Sequence, residues 1–125
     1  VLTTVANVLA GLIGAGIIVI GLNAFRAPHA AAGFGIPGTP TEDPAFHAWL
    51  RVKAVRDIAS GILIFIVLAG ATPHLLGWYM LAASGMPAGD AMIVLRSNGP
   101  KAVAYGVHAA TAVVMVVISV LLLVA

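Results

Sequence analysis

Three ionisable residues stand inside or at the edge of apolar stretches of this sequence: Asp57, Asp90 and His108. Their chemistry is acid–base, because a histidine beside a carboxylate can move protons near neutral pH. At comparable positions in the chain stand Arg26, Arg56, Arg96, Asn23 and Tyr105. An arginine fork can hold an anionic or carbonyl oxygen, and a tyrosine adds a hydroxyl. Asp90, His108 and Asp57 are therefore the candidate catalytic groups. Arg56, Arg26, Asn23, Tyr105 and Arg96 are the candidate ligand-binding groups. Proton transfer of the isomerase or cyclase kind suits this set, and so does binding without chemistry. Whether a reaction is catalysed stays open at this level.

Other chemistries find less support. Two aspartates and one histidine lack HxxxH or carboxylate–xx–His spacing, so no metal is expected. There is no nucleotide-binding loop, no serine elbow and no histidine placed deep in a span for haem, so no cofactor is expected. The chain has no cysteine, which excludes disulfides and thiolate ligands. His29, His47 and His74 fall in loops or at interfaces, where a lone histidine is ordinary. Six Lys and Arg against four Asp and Glu give a net charge of +2. The basic residues are dispersed, so no nucleic-acid partner is expected.

The elements that must position these groups are apolar. Of the 125 residues, 62% are hydrophobic and 8% charged, against about 25% charged in soluble domains. Lipid is the natural solvent for such an excess. The expected fold is all-α: a four-helix transmembrane bundle, up-and-down, with one longer loop between the first two helices. It forms one integral membrane domain over residues 1–125, with spans near 2–27, 44–72, 75–95 and 101–125. The start of the chain has no basic n-region, so a retained first span is expected rather than a cleaved signal peptide.

Local signals set the boundaries. Pro28 stops the first helix. Residues 28–43, PHAAAGFGIPGTPTED, are punctuated by Gly and Pro but have an apolar centre. That loop is long for a helix connection and could cover a pocket mouth. Asp43 and Pro44 cap and open the second helix. Phe46 and Trp49 are expected among lipid headgroups, and Lys53 and Asp57 are spaced to pair on one helix face. Pro87 is expected to kink the third span. Ala6, Ala10 and Gly14, and separately Gly85 and Gly89, carry the spacing of close helix contacts, which leaves a homo-oligomer open.

In this topology all six basic residues fall on one side. The positive-inside rule then places loops 1–2 and 3–4 in the cytoplasm and both termini outside, in a bacterial inner membrane. Every helix contributes a polar group to one layer near that side. Charges in hydrocarbon must pair, so Arg26 or Arg56 is expected to meet Asp57 and Asp90, with His108 near a carboxylate. The expected partners are membrane lipids and a lipophilic small molecule. Two alternatives stand beside this reading. The cluster is a structural clasp, or it is the relay of a proton-coupled transporter or channel. A polar path to the far face would favour transport, and a pocket closed on that face would favour an enzyme or a binder.

The run 53–61, KAVRDIASG, followed by Gly77-Trp78, Gly89-Asp90, Arg96 and His108-Ala109 before an apolar tail, resembles a bacterial and fungal family of small four-helix integral membrane proteins, catalogued as a domain of unknown function. Phe25 to Pro28 and Phe34-Gly35 are similar to that family's segment after the first helix. The resemblance covers nearly the whole chain. It implies four spans and a membrane location, and gives weight to Arg56, Asp57, Asp90, Arg96 and His108. It implies no activity.

Overall fold

A computed structural model describes residues 1–125. Five helices follow one another: α1 (Leu2–Arg26), α2 (Pro44–Gly70), α3 (Pro73–Ala83), α4 (Gly85–Arg96) and α5 (Lys101–Val124). A 3₁₀ helix, Pro28–Phe34, follows α1, and residues Ala104–Ala109 of α5 are wound as π-helix. The starts obey local chemistry. Asp43 Oδ1 accepts from the Ala45 N–H, and Thr72 Oγ1 accepts from the Leu75 N–H, each just before a proline at the first helical position.

The expected four-helix transmembrane bundle is not what forms. There are five helices, and only α1 and α5 are long and apolar enough to cross a membrane. Two causes account for the difference. The expected third span is broken into helices of 11 and 12 residues, each well short of the ~20 needed to cross hydrocarbon. Pro87 has no N–H for the Ala83 carbonyl, and the Ser84 hydroxyl donates to the Leu81 carbonyl at 2.6 Å. The break therefore falls at Ser84, ahead of the proline where a kink was expected. The second helix has the length, but Arg51, Lys53, Arg56 and Asp57 occupy its first half. Its uncharged run, 58–70, is too short to span alone.

The helices pack as two hairpins, α1 with α2, and α3 and α4 with α5. In the first, two glycines let the backbones approach. A Cβ on Gly61 would lie 2.6 Å from the Gly14 carbonyl oxygen, and one on Gly21 would lie 2.9 Å from that of Ala54. Ala6 and Ala10, one turn apart on α1, are fully buried. Gly85 and Gly89, the other small-residue pair, meet no neighbour within 4 Å.

The two hairpins join at the end that holds both chain termini. Ala6, Ala10, Ile64, Leu76, Met80, Ala83, Met115, Ile118 and Leu122 form one buried cluster there. Ser119, also buried, donates to the Gly77 carbonyl at 2.8 Å. Toward the opposite end, where α1 finishes and α2 begins, α2 is not closely packed against α4 or the π segment. The sequence supplies the reason: the inward stripe of α2 changes from Gly61 and Ile64 to Lys53 and Asp57.

Candidate functional site

A cavity of about 730 Å³ occupies the separated half. That volume lies within the range of ordinary small-molecule sites, about 300–1,000 Å³. Each wall is a helical stripe. From α1 come Val19, Ile20, Asn23, Ala24 and, past its end, Ala27. From α2 come Phe46, Trp49, Leu50, Lys53, Ala54 and Asp57, recurring at three- and four-residue intervals. α4 gives Ile93, and α5 gives Val107 and His108. The segment after α1 closes the end, with Ala30, Ala31, Gly33, Phe34, Ile36 and Thr39. The lining is mainly apolar, and its polar side chains are Asn23, Thr39, Lys53, Asp57 and His108.

The covering segment is fastened to the second hairpin. His108 Nε2 donates to the Phe34 carbonyl at 2.8 Å, which fixes the proton on Nε2 and leaves Nδ1 without a partner in the chain. The Phe34 ring tilts against the imidazole at 4.4 Å between centroids, and Lys53 Nζ sits 5.6 Å from the same ring. One residue on, Gly35 takes a left-handed φ of 108°, where a Cβ would press 3.0 Å from both Val94 and Val103. Its carbonyl oxygen lies against Gly99, so neither glycine has room for a side chain. Thr39 donates to the Ile36 carbonyl at 2.6 Å, and His47 Nε2 bonds the Thr41 carbonyl. The loop is thus a built cover rather than a slack linker.

The structure brings some of the sequence candidates together and leaves others apart. Asn23, Asp57 and His108 line the cavity. Asp90 is half-buried on α4, within electrostatic reach of His108, Lys53 and Asp57 but outside the cavity lining. Arg56, Arg96 and Tyr105 are exposed and outside the lining. The expected arginine–aspartate pairs do not form. Arg26 donates to Asn23 Oδ1 at 2.9 Å, and Arg56 to the Val52 carbonyl at 3.3 Å. The ion pair that does form is Lys53–Asp57, at 2.7 Å. All three contacts stay within a helix. An extended arginine on α2 reaches its own preceding turn more easily than a neighbouring hairpin held apart by the cavity.

Sequence reasoning missed Phe34, Lys53, Phe46, Trp49, Leu50 and Thr39 as cavity residues. The stripe 46, 49, 50, 53, 54, 57 was legible, and it runs straight into Asp57. The π segment was not legible. One widened turn carries Ala104 and His108 to buried positions. Such turns recur at functional sites because they re-aim a side chain within an otherwise regular helix.

What fold and site define is a small helical protein with two membrane-length apolar helices and an apolar cavity at one end. The chain belongs to the family described as "Domain of unknown function (DUF4267)", whose profile matches residues 14–122. No curated protein matches the chain, and no solved structure matches it.

Proposed function

We propose that this is a membrane-embedded binding protein, one unit over its length, that holds a lipophilic small molecule between its two hairpins. The observation that carries the reading is the 730 Å³ cavity, apolar over most of its lining, with Asn23, Lys53, Asp57 and His108 converging from three helices. Few polar groups on an apolar wall orient a ligand whose affinity comes from burial. The exposed apolar faces of α1 and α5, with Leu12, Leu22, Val113 and Val120 outward, suit lipid contact. We place the end bearing the six basic residues at the cytoplasmic side of the cell membrane and both termini at the other.

The competing readings have less behind them. A clasp would join helices through its charges, whereas Lys53–Asp57, Arg26–Asn23 and Arg56–Val52 each join one helix to itself, and His108 alone reaches across, to a backbone carbonyl. A transport path would have to cross the packed half, which is filled by Ala6, Ile64, Met80, Met115 and Ile118, all at most 1% exposed.

Native mass spectrometry of protein extracted from its own membrane tests the proposal. The wild type is expected to carry a stoichiometric lipophilic adduct. Ala24→Phe, which fills the cavity from α1, is expected to remain folded by circular dichroism and to lose the adduct. An adduct held equally by both proteins refutes binding at this site.

A further inference from the structure

We infer that the cavity selects a neutral lipophile carrying a hydroxyl or carbonyl oxygen, and rejects the corresponding anion. This rests on the binding reading above and adds the chemical class of the ligand. The ammonium of Lys53 is the one cation in the lining, and Asp57 already neutralises it at 2.7 Å. The nearest arginine from α1, Arg26, is held by Asn23 at 2.9 Å. An ionised head group entering here meets the Asp57 carboxylate and one lysine that Asp57 already pairs. Apolar walls lower the local dielectric and strengthen that repulsion.

A neutral oxygen meets better terms. Asn23 accepts from Arg26 through Oδ1, which leaves its NH₂ group to donate. His108 spends Nε2–H on the Phe34 carbonyl, which leaves the Nδ1 lone pair to accept. A hydroxyl can use both, and a carbonyl can use the amide. No group in the lining has to give up a charge partner. The rest of the molecule lies against Ile20, Phe46, Trp49, Leu50 and Ile93.

The test compares hexadecanol with palmitate on the detergent-solubilised full chain, at alkaline pH where the acid is ionised, with retained ligand counted by native mass spectrometry. Wild type is expected to hold one hexadecanol at least about tenfold more tightly than palmitate. Asp57→Asn removes the neutralising carboxylate and leaves Lys53 unpaired. It is expected to raise palmitate affinity about tenfold with little change for hexadecanol. Ala24→Phe is expected to lose both. Palmitate held as tightly as hexadecanol by the wild type, or no gain of palmitate in Asp57→Asn, overturns the selectivity and leaves the binding reading standing. If wild type retains neither probe better than Ala24→Phe does, the binding reading itself fails and this inference with it.

Discussion

His108 shows how much one side chain can do when the helix around it is wound differently. A regular α-helix closes its hydrogen bonds at four residues, whereas the turn across 104–109 closes them at five. The imidazole is 9% exposed and bonded to the Phe34 carbonyl 74 residues away. Sequence reading picked out the residue, because a histidine inside an apolar helix is costly unless it is used. It placed His108 near a carboxylate, and Asp90 is within its electrostatic reach; the bond to Phe34 was not legible, since spacing along one helix says nothing about a backbone carbonyl in a distant loop. His108→Ala is expected to remove about 1 kcal/mol of hold on that loop. Hydrogen exchange of amides 30–35 should then quicken about fivefold, with exchange in 58–70 unchanged. Unchanged exchange in the loop would show that the bond does not restrain it.

Among the elements, α1 and α2 were legible almost to the residue. Pro28, Asp43-Pro44 and Pro73 punctuate them, and each acts locally through capping or a missing N–H. The segment after Pro73 was legible as apolar but not as two helices. Whether a proline bends a helix or ends it depends on what its neighbours do with the freed carbonyls, and here Ser84 decided the matter by bonding back to Leu81. Small-residue spacing was likewise half informative: Gly14 meets α2, whereas Gly85 and Gly89 meet nothing. Gly61→Leu tests the α1–α2 contact. A side chain there must displace Ile18 and the Gly14 backbone. The variant is expected to cost about 1–3 kcal/mol, read as a lowered melting temperature in detergent. Gly85→Leu is expected to leave the melting temperature near that of the wild type.

At the scale of the whole molecule, the gathering of Arg26, Arg51, Lys53, Arg56, Arg96 and Lys101 at one end was legible from topology. A ligand pocket among the polar groups at that end was expected as well, but its lining by Phe46, Trp49, Leu50 and the 30–39 segment was missed. Patterning shows which residues share a face, but not whether two such faces touch. The chain has no cysteine, so single cysteines report its orientation cleanly. Gly38→Cys and Asn98→Cys are expected to react with an impermeant maleimide only in inside-out vesicles, and Thr3→Cys only in right-side-out ones. The reverse pattern would invert the proposed orientation.

The covalent path between the two hairpins has a mechanical consequence. It runs once, through Ala71 and Thr72, at the packed end. The longer 28–43 loop returns to its own hairpin, and so does the 97–100 turn. The molecule is therefore a pair of tongs with its pivot among the buried side chains and its tips at the basic end. Parting the tips stretches no covalent link and unwinds no helix. At the tips it breaks one hydrogen bond, one tilted ring contact and the packing of Gly35 against Gly99, Val94 and Val103. The bond and the ring pair together are worth about 1–3 kcal/mol, small beside the stability of a whole fold. A guest entering between the tips has to offset that cost and the loss of the Gly35 packing, and is held when they close.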